Sequence, residues 1–596
     1  MNDFVKEKTE KGFTMKLWRG ERMCLIAFDV VAAEADLVGF AIECKSPNSN
    51  GNFEPVMNRI TFASTDPGAA TVTGARKFPS TESPFQKFRW VHFPFNPQNG
   101  KYTYRGTKMH MPSDGVLVRG TSIDLDISLD PHTFEGFLDV GFTRGFASSQ
   151  AFLDKFPKDI DIDTVGKKII PDTGKSGLSF HKLAPNTFPE MNGDIYQWMG
   201  FEARDLIFDF LDEAVKDHGV TLDVFAYDLN EPDFVARLEA LGPRLRAIID
   251  DSTEKSKTGI VTGHGVTSSD ESKSAKRLRT SAGKANVKRT HFGHLQHHKV
   301  FVARRNGVPF KVLAGSTNFS FRGIYIQSNN ALVFDSAKVA DFYGRVFDKA
   351  FADPDGFKAD DLAGTWHLVS EADQPPIRVA FSPHKSSDLS LNPVRGAVDG
   401  ATSAVFYAVA FLNQIKSGPT KQAFDRVMNR PIFSYGIADK AGGLEVRKPD
   451  GSTGLVDFAF LAKNAPQPFK REWSGGKGIN VHHKFVITDF NLTTAKVFTG
   501  SSNLAPSGET GNGDHLIMIE DQKLAIAYTI EALRVFDHLH FRSNMKKAGK
   551  LPGKPAKKPE LITLRKPSAI SGKPAWFKDY YVAGSHGERD RLLFSH

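Results

Sequence analysis

Cysteine is nearly absent from this sequence of 596 residues: there are two, Cys24 and Cys44. Two thiols build neither a disulfide framework nor a zinc centre by themselves, so both are expected as buried, reduced side chains on neighbouring strands. Long apolar runs are missing as well. No stretch approaches the roughly 18–20 apolar residues that a membrane span requires, so no transmembrane segment is expected. The first twelve residues are polar and mixed in charge, and the short apolar stretch Met23 to Val31 is broken by Asp29. That is not the pattern of a secretory signal. A cytoplasmic location is expected, or export by a route that reads no N-terminal signal. An excess of one charge is also scarce outside one region. The net charge is +9, from 77 basic and 68 acidic residues. Residues 546–596 hold 12 Lys or Arg and 4 Asp or Glu, or +8, which leaves about +1 for the 545 residues before them. A protein that grips long nucleic acid spreads basic charge over its binding face. Here the excess sits in a Lys/Pro/Gly-rich stretch, Lys546 to Pro559, that reads as a solvated linker or as a tether to anionic lipid or nucleic acid.

The chain is too long for one hydrophobic core, and its 40% hydrophobic and 24% charged residues are those of an ordinary globular protein. Residues 1–190 are expected to form a β-rich, sandwich-like domain and a linker. Leu25–Val31, Leu37–Glu43, Phe88–Phe93 and Val116–Ile127 read as strands, separated by turn-forming clusters. Phe156–Pro189 reads as the linker. From about Asp194 the pattern changes. A helix over Gln197–His218 precedes a strand at Leu222–Tyr227, a helix near Asp233–Leu241 and a strand at Leu245–Ile249, which is α/β alternation. Ser252–Thr290 is a polar insertion rich in Lys and Arg, either an exposed loop or a wall of a substrate entrance. After a boundary at Asp353–Pro375, strands at Ser403–Ala410, Ile432–Ile437 and Leu444–Lys448 belong to a second α/β region. The expected division is 1–190, 191–352, 353–545 and a basic tail, 546–596.

The strongest feature is an internal repeat. The first copy has His297-His298-Lys299 followed by Gly315-Ser316-Thr317-Asn318. The second has His482-His483-Lys484 followed by Gly500-Ser501-Ser502-Asn503. The first His and the Asn are 21 residues apart in both copies, and the Lys and the Gly are 16 apart. Each His-x-Lys runs into an apolar strand, where alternate residues share a face, so His and Lys project together. Asn306-Gly307 is a hairpin signal that returns the chain as a partner strand and brings the Gly-Ser-x-Asn group beside the His/Lys pair.

His-x-Lys, an Asp five residues on, then Gly-Ser-x-Asn resembles the signature of the phospholipase D superfamily. The second copy matches throughout, with Asp489 at the acidic position; the first has Arg304 there. The resemblance covers roughly residues 194–545. It implies two pseudo-symmetric α-β-α lobes behind the N-terminal domain, one active site at their interface, and a mainly structural role for the motif Asp.

The residue types suit the chemistry. A phosphodiester cleaved without a metal needs a nucleophile, a proton donor for the leaving alcohol and fixed positive charge around the phosphate. His297 and His482 supply the first two, Lys299 and Lys484 the charge, and Asn318 and Asn503 amide donors to the same oxygens. By resemblance, His297 is assigned as the nucleophile that becomes a phosphohistidine, and His482 as the acid/base. Ser316 and Ser501 are expected to orient the lysines or the loop. A nucleophilic imidazole also needs its other nitrogen held. Asp514 lies eleven residues after Asn503 and Asn329 eleven after Asn318, where similar enzymes carry an orienting carboxylate.

His294, His298 and His483 read as structural or surface side chains. A metal set of His291, His294, His297 and His298 lacks accompanying Cys or carboxylates, and no metal or other cofactor is expected. Asp124, Asp126 and Asp130 alternate as on a solvated strand edge more than as a calcium site. The expected substrate is a phospholipid at a membrane surface, cleaved to phosphatidic acid and a free head group, with transfer to other alcohols as a side activity. The alternative is an endonuclease acting on DNA or RNA; a non-catalytic binding repeat is disfavoured by the two intact His/Lys pairs. Both half-sites are in one chain, so no oligomer is required.

Overall fold

The computed structural model describes residues 3–62, 77–131, 134, 136–148, 151–152, 189–440, 443–457, 481–547 and 563–596. Residues 156–188 of the expected linker and residues 548–559 of the Lys/Pro-rich stretch lie outside the described residues.

Two four-stranded antiparallel sheets form the N-terminal part. One runs Val5–Glu10, Phe13–Arg19, Cys24–Val30, Arg89–His92; the other runs Val118–Ser128, Lys101–His110, Leu37–Lys45, Glu54–Pro55. Alternate residues of each strand point inward. Phe13, Ile26 and Phe28 of one sheet and Phe40, Ile42 and Tyr104 of the other share one core. Cys24 and Cys44 are both buried and free, but they lie on facing sheets rather than on neighbouring strands. Burial pushes the Cys44 thiol up to about 12.

The chain end does not behave as one basic tail. From residue 563 it packs back onto the N-terminal sheets. Trp576, Phe577, Tyr580 and Tyr581 cover the aromatic core, Phe594 is fully buried, and the Trp18 indole N–H donates to the Phe594 carbonyl at 2.7 Å. Arg591 pairs with buried Asp29. Net basic charge hid this segment's aromatic content, whose large apolar area drives the docking.

The remaining chain builds two larger sheets. The first has the order Leu138–Phe142, Asn330–Phe334, Val308–Gly315, Val300–Arg305, Val220–Ala226, Leu245–Ile249, Val287–Arg289. In the second, six consecutive strands run Ile377–Ser382, Asp514–Ile519, Lys496–Gly500, Lys484–Thr488, Ala404–Val409, Phe433–Lys440. Strand for strand, the first six of one sheet match these six in order and in pairing sense, including the single parallel pair, Val220–Ala226 with Leu245–Ile249 and Ala404–Val409 with Phe433–Lys440. Leu138–Phe142 was expected in the N-terminal domain. It pairs instead with Asn330–Phe334, where Ile377–Ser382 stands in the second sheet. There it covers an edge that would otherwise leave backbone groups unpaired, and it buries Leu138, Val140 and Phe142.

The insertion is folded. Thr253–Lys255 and Val261–Gly263 form a hairpin, and the helix Asp270–Ala282 follows, with the Ser269 hydroxyl accepting from the Ser272 N–H at 3.0 Å. Helices Pro189–Lys216, Ala337–Ala352 and Gln522–Lys547 contribute to one apolar cluster that runs through both lobes.

Candidate active site

The regular part of each motif strand begins at Val300 and at Lys484, just past the first histidine. The preceding residues bridge the two lobes through backbone. The His297 N–H donates to the Gly513 carbonyl at 2.9 Å, and the His482 N–H to the Ser328 carbonyl at 3.1 Å. Each histidine is therefore fixed at its backbone by the lobe that does not carry it. Gly315 and Gly500 sit at φ 136° and 138°. A Cβ on Gly315 would lie 2.6 Å from the Asn330 carbonyl oxygen, and one on Gly500 2.4 Å from that of His515, so neither position admits a side chain.

The side chains repeat the same crossing. His297 donates from Nδ1 to Asp514 Oδ1 at 2.7 Å, and the Ser501 hydroxyl donates to the same oxygen at 2.7 Å. His482 Nδ1 meets Asn329 Oδ1 at 2.9 Å, and the Ser316 hydroxyl donates to that oxygen at 2.9 Å. Asn329 Nδ2 donates to the Gly323 carbonyl at 2.9 Å, which fixes Oδ1 as the acceptor toward His482. Both serines thus hold the residue that orients the opposite histidine; they do not orient the lysines. Lys484 Nζ lies 3.0 Å from His482 Nε2. Lys299 Nζ donates to the His297 carbonyl and stands over the Tyr227 ring, 4.8 Å from its centroid.

Electrostatically the two halves differ. Burial by itself would raise the Asp514 carboxyl, but His297, Lys299 and the Ser501 hydroxyl hold it well below the usual carboxylate range. Burial lowers His297, with Asp514 opposing that effect. Burial, then Lys484 and Lys299, push His482 far below the ordinary imidazole value, and its Nδ1 partner is the Asn329 amide rather than a carboxylate. Lys299 is lowered by burial to about 8, and Lys484 falls well below the ordinary lysine value through burial and the charge of Lys299. Four basic side chains crowd one buried site, where an incoming anion would favour their charged forms.

Asn318 and Asn503 flank this centre unequally. Asn318 donates from Nδ2 to Asp228 at 2.6 Å, and the side-chain oxygens of both asparagines take no hydrogen bond from a described residue. Asp489 accepts from the Thr402, Ser403 and Ala404 N–H groups at 3.0, 2.7 and 3.2 Å and so ties its strand to the neighbouring one. Arg304, at the equivalent position, bonds Asp223 at 2.6 Å and Asp348 at 2.9 Å. His298 and His483 are buried rather than at the surface, the first stacked on His515 and the second 3.0 Å from Glu531. His291 bonds Asp251 and His297 bonds Asp514, so the four-histidine set does not converge. Asp124 and Asp126 pair with Arg105 and Lys101, and Asp130 accepts from the Gly100 N–H. Tyr227, Asp228 and His264 were not anticipated from sequence. Tyr227 packs its ring edge against both His264 and His297, with centroids 4.5 and 4.7 Å apart. For Tyr227 and Asp228 the available signal was their place just past a strand's carboxyl end, where open α/β sheets gather functional groups.

Two His-x-Lys/Gly-Ser-x-Asn sets thus meet across two sheets of one strand order, the arrangement that the sequence's resemblance to the phospholipase D superfamily implies. Among solved structures the chain is similar to a phospholipase D family member, Nuc from Salmonella typhimurium, at 24% identity over 26% of this chain and 86% of that one, TM-score 0.19. It is similar to phosphatidylserine synthase from Haemophilus influenzae at 11% identity over 66% of this chain and 93% of that one, TM-score 0.36. It is also similar to polyphosphate kinase from Porphyromonas gingivalis at 12% identity, TM-score 0.34, where it spans 45% of that chain. No family model and no curated protein matches the sequence.

Proposed function

We propose that the protein is a phosphodiesterase acting through a phosphohistidine, with two pseudo-symmetric lobes sharing one site behind a sandwich-like N-terminal domain. The observation that carries this reading is the crossed pair, His297 on Asp514 and His482 on Asn329. Asp514 holds the Nδ1 proton of His297 and leaves the Nε2 lone pair to attack phosphorus. The bound phosphate anion offsets the lysine charge that keeps His482 neutral and favours its protonated form; as the P–N bond forms, the P–O bond to the leaving alcohol breaks, and protonated His482 gives its Nε2 proton to that oxygen. Water then attacks phosphorus, His482 takes its proton, and the P–N bond breaks to free His297. Lys299 and Lys484 balance the phosphate charge, while Asn318 and Asn503 donate amide hydrogens to its oxygens. No step in this scheme calls on a metal.

The proposed substrate is a phospholipid. The hairpin that leads into His264 exposes Ile260 and Val261, 62% and 48% accessible, beside Lys255 and Lys257, a tip suited to an anionic lipid surface. A nuclease reading rests on the exposed lysines 273, 276 and 284 on the same wall. Incubation in EDTA with phosphatidylcholine vesicles or with plasmid DNA separates the two. Choline release without nicking supports the lipase, and nicking alone replaces it with the nuclease. Full activity in either His297→Ala or His482→Ala would remove the shared-site scheme.

A further inference from the structure

The wall of the first lobe carries a second set of converging groups that the phosphodiester chemistry leaves unused. Asp228 stands just past the Val220–Ala226 strand, His264 follows the inserted hairpin, and Glu271 lies in the first turn of the Asp270–Ala282 helix. One ligand-capable atom of each lies within 4.8 Å of the other two. His264 Nε2 is 3.1 Å from Asp228 Oδ1. Its other nitrogen, Nδ1, is 2.8 Å from Asp250 Oδ2, and fully buried Asp250 is itself held by the Ser252 hydroxyl at 2.5 Å and the Gln296 N–H at 2.7 Å. A buried carboxylate on the far nitrogen is the outer contact that aims a metal-ligating imidazole.

Glu271 gives an independent indication. It is 6% exposed, and its Oε1 takes a hydrogen bond from the Leu229 N–H at 3.3 Å. His264 bridges Asp228 and Asp250 and also faces Glu271, so one imidazole serves three carboxylates. A buried carboxylate turned toward a second carboxylate is costly unless positive charge lies between them.

We propose that Asp228, His264 and Glu271 bind a divalent ion of the zinc or manganese class. One imidazole and two carboxylates suit such an ion better than they suit calcium, which takes six to eight oxygens. At Zn–ligand bonds of about 2.0–2.2 Å the ligands stand about 3.3 Å apart, close to the existing His264–Asp228 spacing. Asp228 reaches the ion through Oδ1 and keeps Asn318 on Oδ2, so the ion touches the phosphate pocket only through that carboxylate.

The test is a titration of EDTA-stripped, desalted full-length protein with Co²⁺, read by visible d–d absorption, and with Zn²⁺, read by calorimetry and thermal unfolding. The expected result is one ion per chain and a raised Tm, with binding weakened at least about 10-fold in Glu271→Gln and in His264→Gln. Far-ultraviolet circular dichroism establishes that both variants are folded. Absence of saturable binding to the wild type, or unchanged affinity in both folded variants, overturns the proposal.

Discussion

Asp514, on a strand of the second lobe, holds Nδ1 of His297, just before a strand of the first, at 2.7 Å. Its counterpart Asn329, on the first lobe, holds His482 of the second at 2.9 Å. The exchange is symmetric in geometry and asymmetric in charge: one histidine is backed by a carboxylate and the other by an amide. In the proposed mechanism that difference assigns attack to His297 and proton transfer to His482.

Asp514→Asn is therefore expected to lower kcat about 10²-fold with little change in KM, because it removes the carboxylate and leaves the fold and the phosphate contacts. The reverse change, Asn329→Asp, places a carboxylate behind His482 and stabilises its protonated form. The basic limb of the kcat–pH profile should move to higher pH. Steady-state profiles of both variants check this, and equal effects of the two changes would contradict the division of roles.

The histidines can be told apart by trapping. With a p-nitrophenyl phosphodiester the leaving group needs no proton, so His482→Ala should accumulate an acid-labile phosphoenzyme on residue 297. His297→Ala should accumulate none. Rapid quench followed by phosphorus NMR of the denatured protein reads the result.

Lys299, lowered to about 8 by burial, gives a stability signature. In the unfolded chain a lysine titrates near about 10.4. Between these values the unfolded state holds more protons than the folded state, so the stability of the ligand-free protein should rise as pH goes from about 8 to 10. An anion such as tungstate should reverse this by favouring charged Lys299. Its stabilising effect should be largest below about pH 8 and fade above it, as thermal unfolding with and without the anion would record.

Arg304→Asp would restore the acidic residue that the motif carries at Asp489, yet it should destabilise the protein by about 3 kcal/mol. Arg304 pairs with Asp223, which is 1% exposed, and with Asp348, and it shares both with Arg246. Removing it leaves buried negative charge short of a partner and adds another. Urea unfolding measures the loss, and activity should fall only as the folded fraction falls.

Phe594→Ala should cost about 3–5 kcal/mol, because the ring is fully buried near the chain end. Chemical unfolding reads it. A near-zero cost would mean that the docked end contributes nothing to the fold.

What the sequence by itself determined was local and repetitive. Matching spacings of His, Lys, Gly, Ser and Asn marked the two segments that the lobes bring together, because strand periodicity and the need for glycine at a close backbone approach are written in neighbouring residues. Leu245–Ile249 fell where it was read, and the Asn306-Gly307 turn was recognisable from two residues. Asp514 and Asn329 could be found by offset, but not which histidine each would serve. The tertiary structure decided that, since the bonds His297–Asp514 and His482–Asn329 join residues 217 and 153 positions apart and exist only where the lobes meet. It also decided the placement of Leu138–Phe142, the docking of the chain end and the gathering of Asp228, His264 and Glu271. Each depends on which surfaces bury one another, and no periodicity within a segment encodes its distant partner.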